Sequence, residues 1–398
     1  PKNINGNFLQ ENNDARIMLV AIDTRHVSQV ENNLFFCLIA RNNGHIFIER
    51  AYKKGIRNFV VSEQMDCKNF SAANFILVEN TTIALQTLAV YHRSQFQIPV
   101  IGITGSNGKT IVKEWLFQLL SKEKNIVKSP KSYNSQIGVP LSVLNMGKEH
   151  ELAIFEAGIS TTDEMAVLQK IIQPTIGILT NIGTAHDAGF SSTAEKTEEK
   201  LKLFSGSIAL IYGEKYIDSF SENSSSQLCF SFGSTSTATI QCIELEQKNN
   251  HTFFQISASN NSNIHGSIAI PFLDEASIEN CLTCVTTLIY LGYSIETIQQ
   301  KIQALRNLPM RLELKYGIHN CTLIDDSYSA DFHSLQIALD FLQQQSSHKK
   351  KTIIISDFED SGLSEKDFIQ KLKSILQQQK FDKLIGVGKA FMHHIESL

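Results

Sequence analysis

Two rhythms of apolar residues alternate along most of this chain. Short, nearly unbroken apolar runs at residues 17–22, 34–40, 59–61, 75–78, 100–104, 152–157, 176–180 and 208–212 predict buried strands. Segments 49–55, 81–96, 110–121, 276–291 and 294–305 carry apolar residues at helical spacing instead. Over residues 98–308 strand and helix take turns, which predicts a mainly parallel sheet covered by helices on both faces. Residues 1–97 read as a smaller α/β unit. The stretch 222–270 departs from the pattern: it is Ser- and Asn-rich, and its strand-like runs at 239–246 and 252–257 predict a β excursion with polar tips. At Pro309-Met310-Arg311 the alternation restarts, with strands at 312–316, 352–356 and 383–387 and helices at 334–345 and 365–379. Three domains are expected, 1–97, 98–308 and 309–398. The last reads as a truncated α/β domain, because it stops short of the usual ~100–150 residues.

Composition excludes several function classes. Of 398 residues, 42% are hydrophobic and 19% charged, as in a globular protein, and a net charge of −4 gives no footprint for a nucleic-acid backbone. No apolar run approaches the length of a membrane span, and no signal peptide opens the chain. The seven cysteines lack metal-type spacing; Cys281 and Cys284 form a C-x-x-C inside an apolar helical pattern and read as buried thiols. A reduced, cytoplasmic compartment fits these features. The sequence begins at Pro1 without a methionine, so a preceding piece is expected.

Candidate chemistry concentrates after the run at 100–104. Gly105-Ser106-Asn107-Gly108-Lys109-Thr110 links that strand to an amphipathic helix. Strand, glycine turn and helix start make phosphate-binding geometry: backbone N–H groups converge on the anion and the helix N-terminus adds partial positive charge. Lys109 then reaches the outer phosphates and the Thr110 hydroxyl coordinates Mg²⁺. Where the general P-loop pattern has its first glycine this chain has Ile103, within G-x-x-G-x-x-G-K-T. More polar residues stand past neighbouring strand ends, where open α/β sheets bind ligands. Glu156 ends one strand, and Asn181 and His186 follow another in T-N-I-G-T-A-H-D. A carboxylate and an imidazole there suit a Mg²⁺ site with Thr110, although histidine is a minority ligand for magnesium; taken alone, His186 fits an ordinary loop. Three other features are open to two readings each. Asp23-Thr24-Arg25 suits a polar turn or a pyrophosphate or base contact. Asn280 is an exposed helix residue or a ligand contact. Asp325-Asp326 is a solvated turn or an acceptor pair for ribose hydroxyls.

Together these residues resemble the Mur ligases of peptidoglycan synthesis over nearly the whole length. The motifs that carry the resemblance are T-G-S-N-G-K-T at 104–110, E-x-G at 156–158, T-N-I-G-x-x-H ending at His186, E-E-K-L-K-L-F at 198–204, Asn280, Arg311, and D-D-S-Y-S-A-D at 325–331. The resemblance implies a three-domain α/β architecture: a UDP-sugar-binding N-terminal domain, a central P-loop domain and a Rossmann-like C-terminal domain. It further implies a monomeric, ATP- and Mg²⁺-dependent amide ligase. D-D-S-Y-S-A-D and N-S-Q-I-G-V-P at 134–140 are similar to the branch that joins D-alanyl-D-alanine to UDP-N-acetylmuramoyl-tripeptide through an acyl phosphate. The D-N-P-R motif by which many diaminopimelate-adding members select their substrate is absent.

The family's residue roles carry over position by position. Gly105, Ser106, Asn107, Gly108 and Asn181 would surround the phosphates, and Lys109 would hold the β/γ pair. Thr110 and Glu156 would bind one Mg²⁺, and His186 would help to bind another. Asn280 would contact adenine, Arg311 the γ-phosphate and Asp326 the ribose. Thr24, Arg25, Asn134 and Ser160 would contact the UDP-sugar peptide. Lys196, Lys200 and Lys202 are close together; alignment with the family's lysine-bearing helix selects Lys200, which is expected to be carbamylated and to present oxygens to metal. Ser135, Ser160, Asp163, Lys202, Ser329, Asp331 and Phe332 depart from the family pattern. Two alternatives stay open: another amide ligase, of the diaminopimelate-adding or folylpolyglutamate type, or a non-catalytic nucleotide-binding homologue.

Overall fold

A computed structural model describes residues 1–26, 30–40, 42–183, 189–217, 227–249, 251–258, 261–306, 308–328, 331–344, 350–358 and 363–394. The first sheet comprises β1 (Asn7–Gln10), β2 (Leu19–Ala21), β3 (Asn33–Phe36), β4 (Asn58–Val61) and β5 (Asn74–Leu77), in the order β1-β5-β4-β3-β2. All pairs are parallel except β1 with β5. Strand β1 escapes the sequence pattern because it lies at an edge and carries only two apolar residues. Helices α1 (Ile48–Lys53) and α2 (Thr81–Arg93) cover the sheet, and Asn80 caps α2 by accepting from the N–H groups of Thr82 and Ile83.

The central sheet has nine strands: β6 (Val100–Thr104), β7 (Ile126–Lys128), β8 (Leu152–Glu156), β9 (Ile176–Leu179), β10 (Ala209–Gly213), β11 (Leu228–Gly233), β12 (Ile240–Lys248), β13 (His251–Ala258) and β14 (Asn261–Ile270). Their order is β14-β13-β12-β11-β10-β9-β6-β8-β7. From β7 to β12 neighbours run parallel; the excursion at β12–β14 is antiparallel. Alternate residues of each inner strand face opposite cores. Ile101, Ile103, Leu152 and Ile154 pack with α3 (Lys109–Leu120), while Val100, Ala153 and Phe155 pack with α4 (Gly138–Val143) and α5 (Glu164–Ile172). Helix α6 (Thr193–Leu201) follows β9, and α7 (Glu275–Tyr290) and α8 (Ile295–Ile302) follow the excursion. Cys281 and Cys284 are buried in α7, as expected, and burial holds both thiols above their ordinary pKa. The expected mainly parallel sheet with helices on both faces is what forms. Among the described residues no helix is long and apolar enough to cross a membrane.

Helix α2 joins the first two sheets. It packs on α4 and α5. The buried Arg93 donates to the carbonyls of Ile172 (2.9 Å), Gln173 (3.1 Å) and Phe96 (2.8 Å), and so caps the C-terminus of α5. Gln86 adds bonds to the carbonyl and side chain of Gln136, both at 3.1 Å.

Beyond Pro309 lie β15 (Glu313–Tyr316) and β16 (Thr322–Asp325), an antiparallel pair, then α9 (Phe332–Gln344), β17 (Thr352–Ser356), α10 (Glu365–Leu376), β18 (Lys383–Val387) and α11 (Lys389–His394). Strands β17 and β18 pair in parallel over a core of Leu339, Ile353, Phe368, Leu372 and Phe391. At the join with the central region, Met310 and Leu312 both hold left-handed backbone, with φ of 57° and 48°.

Candidate active site

The turn between β6 and α3 is built around two glycines. Gly105 has φ 150° and Gly108 φ 81°; an added Cβ would overlap the Thr180 hydroxyl at the first and the Asn280 amide oxygen at the second. The strand end next door braces this turn. The carbonyl of Asn181 accepts from the Ser106 N–H at 2.9 Å, and its side-chain oxygen accepts from the Asn107 N–H at 2.7 Å. The Ser106 hydroxyl donates to the Gly183 carbonyl and accepts from the Gly183 N–H, while the Thr180 hydroxyl donates to the Asn107 carbonyl. Asn181 therefore shapes the loop through bonds already made. The Asn107 side-chain NH₂ is buried and has no partner among the described residues.

Two lysines meet at this loop. Lys109 Nζ folds back to donate to the carbonyls of Gly105 (2.8 Å) and Ser106 (3.0 Å). Burial lowers its pKa to about 8; Glu156 and Asp331 pull it up, and Arg311 pushes it further down. Lys200 Nζ reaches the same Gly105 carbonyl at 3.2 Å. Burial lowers it to about 7, helped by the positive charges of Lys109 and Lys196. Lys196 is also buried and donates to the Gly183 carbonyl. Lys202 turns away, to Glu199 at 2.5 Å and Asp163 at 3.9 Å. Of the three candidate lysines, Lys200 is the one brought to the glycine turn. The charged look of α6 misleads: Lys196, Glu199 and Lys200 are all buried.

Glu156 is wholly buried at the end of β8, and its Oε2 accepts from the Thr110 hydroxyl at 2.9 Å. Its Oε1 accepts from Lys113, a residue the sequence reading passed over. The available signal was a lone lysine in the apolar stripe of Val112, Leu116 and Leu120 on α3.

Two cavities flank the turn. One of about 180 Å³ is lined by Asn107, Gly108, Trp115, Asn280, Arg311 and Asp326, among others. Asn280 is buried here, which corrects the exposed reading of that helix position. The Arg311 guanidinium lies 4.3 Å from the Tyr328 ring centroid. Asp326 accepts from the Leu312 N–H at 3.1 Å, and burial raises its pKa to about 6. Its neighbour Asp325 turns aside to Lys315, at 2.6 Å. The second cavity, about 310 Å³, is lined by Lys109, Lys200, Asn134, Gly158, Ser160 and Glu164, among others. Glu164 accepts from the Ser160 N–H at 2.6 Å. Lys109 thus stands in the wall of this cavity while its loop borders the other.

Thr24 and Arg25 line neither cavity. Thr24 is buried and its carbonyl accepts from Lys54; the exposed Arg25 is held by Asp23 at 2.5 Å, a local pairing with no sequence signature. His186 lies outside the described residues.

The donor set suits a hard cation. Thr110 and Glu156 offer one hydroxyl and one carboxylate beside a phosphate-type loop, and Mg²⁺ takes few protein oxygens and completes its shell with phosphate and water. The glycine cradle and the unpartnered Asn107 amide suit a nucleotide.

Residues 103–288 match the Mur ligase middle domain. A UDP-N-acetylmuramoyl-tripeptide–D-alanyl-D-alanine ligase of Rickettsia prowazekii (strain Madrid E) is 30% identical over 332 residues, 81% of this chain and 73% of that protein. The chain belongs to the Mur ligase family. The Bacillus subtilis (strain 168) ligase of the same name is 28% identical over 375 residues, 93% of this chain and 80% of the relative. The crystal structure of MurF from Acinetobacter baumannii superposes with a TM-score of 0.82 at 26% identity, covering 96% of this chain and 82% of that one. Like other Mur ligases, this chain is an ATP-dependent peptide ligase.

Proposed function

We propose that this ligase joins D-alanyl-D-alanine to UDP-N-acetylmuramoyl-tripeptide in the cytoplasm. The observation that carries the reading is the placement of Lys109 and Lys200 in the wall of the second cavity, at the turn whose Asn107 and Gly108 line the first. ATP fits the first cavity, with adenine at Asn280, ribose at Asp326 and the γ-phosphate toward Arg311 and Lys109. The second receives the tripeptide end between Asn134 and Ser160, with its carboxylate toward the lysines. The UDP-sugar would extend to Thr24 and Arg25 in residues 1–97, so that the chain divides into units 1–97, 98–308 and 309–398.

A carboxylate oxygen attacks the γ-phosphorus and the bond to the β-γ bridging oxygen breaks, leaving ADP and an acyl phosphate. The neutral amine of the dipeptide then attacks the acyl carbon, loses its proton, and the tetrahedral intermediate expels inorganic phosphate as the amide forms. Several negative charges meet at the first step, so catalysis is mainly electrostatics and positioning. Lys109 supplies charge at the transferring group once it turns from its own loop. Mg²⁺, when bound at Thr110 and Glu156, neutralises phosphate oxygens, with His186 as a further candidate ligand. Lys200 fits carbamylation: a lysine with a pKa near 7 supplies the neutral amine that adds CO₂ and releases a proton.

Phosphate release with UDP-N-acetylmuramoyl-tripeptide and ATP tests the reading. D-alanyl-D-alanine is expected to drive turnover. Faster turnover with a single diamino acid and the UDP-N-acetylmuramoyl-dipeptide would replace it with the diaminopimelate-adding activity.

A further inference from the structure

Lys113 is wholly buried in the second turn of α3. Its ammonium donates to Glu156 Oε1 at 3.0 Å and to the carbonyls of Ser129, at 2.8 Å, and Lys131. A Glu114 oxygen lies 3.2 Å away. The three N–H donors are therefore fully used. Burying an ammonium is costly even when it is paired, and an apolar side chain of similar volume often serves stability as well or better. Its position in an apolar stripe would suit leucine or methionine on packing grounds alone. What Lys113 does that those residues cannot is hold one particular oxygen of Glu156. Glu156 is thereby divided: Oε1 belongs to the ammonium, and Oε2 faces the Thr110 hydroxyl.

We propose that Lys113 fixes the denticity of Glu156 and so selects which divalent cation the site accepts. With Oε1 masked, Glu156 can offer a metal one oxygen only. Mg²⁺ is satisfied by single carboxylate oxygens in a tight octahedron completed by water and phosphate, whereas Ca²⁺ favours more oxygens and readily takes both from one carboxylate. Lys113 is a positioning residue in this scheme and touches no substrate. The inference rests on the reading of Thr110 and Glu156 as metal ligands.

The test is ADP binding to the full chain, followed by the fluorescence of Trp115, the single tryptophan, which lines the nucleotide cavity. Binding is titrated with Mg²⁺ and separately with Ca²⁺. Lys113→Met frees Oε1 and is expected to move the ratio of apparent affinities toward Ca²⁺ by about tenfold or more, since bidentate coordination becomes available. Lys113→Gln keeps donors for the two carbonyls but lacks the charge, and a smaller shift in the same direction is expected; it decides the question if the methionine variant does not fold. An unchanged Mg²⁺/Ca²⁺ ratio in the folded variant overturns the proposal. Glu156→Gln tests the underlying reading by itself: ADP binding that keeps its full divalent-ion dependence there removes the metal assignment. Loss of that dependence, together with an unchanged ratio in Lys113→Met, retires only the role of Lys113.

Discussion

The hydroxyl of Tyr328, in the C-terminal region, meets the hydroxyl of Ser132 in the central region, and its ring carries the Arg311 guanidinium. One side chain thus docks the two regions and positions the guanidinium that lines the first cavity. Tyr328→Phe removes the hydroxyl alone. It is expected to lower kcat/KM for ATP only several-fold, in line with the ~0.5–1.5 kcal/mol of one hydrogen bond. Tyr328→Ala also removes the ring beneath Arg311 and is expected to cost clearly more. Steady-state kinetics on both variants check the order; equal effects would deny Arg311 its dependence on the ring.

Lys109→Ala removes the charge expected to stabilise the transferring phosphoryl group. A fall in kcat of about 10²–10³-fold or more is expected, as for the loss of a key electrostatic donor elsewhere. The fold is expected to persist, because the lysine's partners are carbonyls of its own turn. Near-normal phosphate release by the folded variant would end the P-loop assignment.

Lys200 gives stability a pH signature. Its pKa falls from 10.5 to about 7 in the folded chain, so between those values the unfolded state binds the extra proton. Stability from this group therefore rises with pH across that window, at roughly 1.4 kcal/mol per pH unit for one proton. Lys109, lowered to about 8, adds the same sign from that pH upward. Urea unfolding in bicarbonate-free buffer between pH 7 and 8, below the range where unfolded cysteines lose protons that the buried thiols keep, is expected to show the rise, and Lys200→Met to reduce its slope. A wild-type profile that falls over this range would contradict the burial of both lysines as free amines.

Gly108→Ala is expected to weaken ATP binding and lower Tm. The left-handed backbone disfavours alanine, and the new Cβ overlaps the Asn280 side chain. Calorimetric titration with ADP and a thermal melt give the two readouts. An unaltered ADP affinity would show that Asn280 is not coupled to the loop.

The parts of the site that the sequence announced are those where backbone geometry demands particular residues. Strand β6 matches the run at 100–104, and the glycines after it occur where φ and crowding exclude other side chains. Helix α4 was hidden by Gly138 and Pro140, which argue against a helix in any pattern yet are tolerated in its first turn. The pattern left Asn280 open between an exposed position and a ligand contact, because α7 is buried on almost every side and has no polar face to reveal which positions touch a ligand. In α6 the difficulty was the reverse. Lys196, Glu199 and Lys200 are buried with separate partners, the Gly183 carbonyl, Lys202 and the Gly105 carbonyl, and hydropathy counts such residues as surface. Lys113 escaped for a related reason: a periodicity argument treats one charge in an apolar stripe as noise.

Arg93 ties the first sheet's helix to the end of α5 through two carbonyls, those of Ile172 and Gln173, whereas the C-terminal region is reached through the left-handed residues Met310 and Leu312. Mechanically the chain is then expected to behave as two levers and not three. The described parts of the first two sheets are expected to move as one arm, and a swing of Arg311 and Asp326 toward a nucleotide to turn about Met310 and Leu312. A spectroscopic distance between the first two sheets would stay constant through turnover, while one from either sheet to α10 would change.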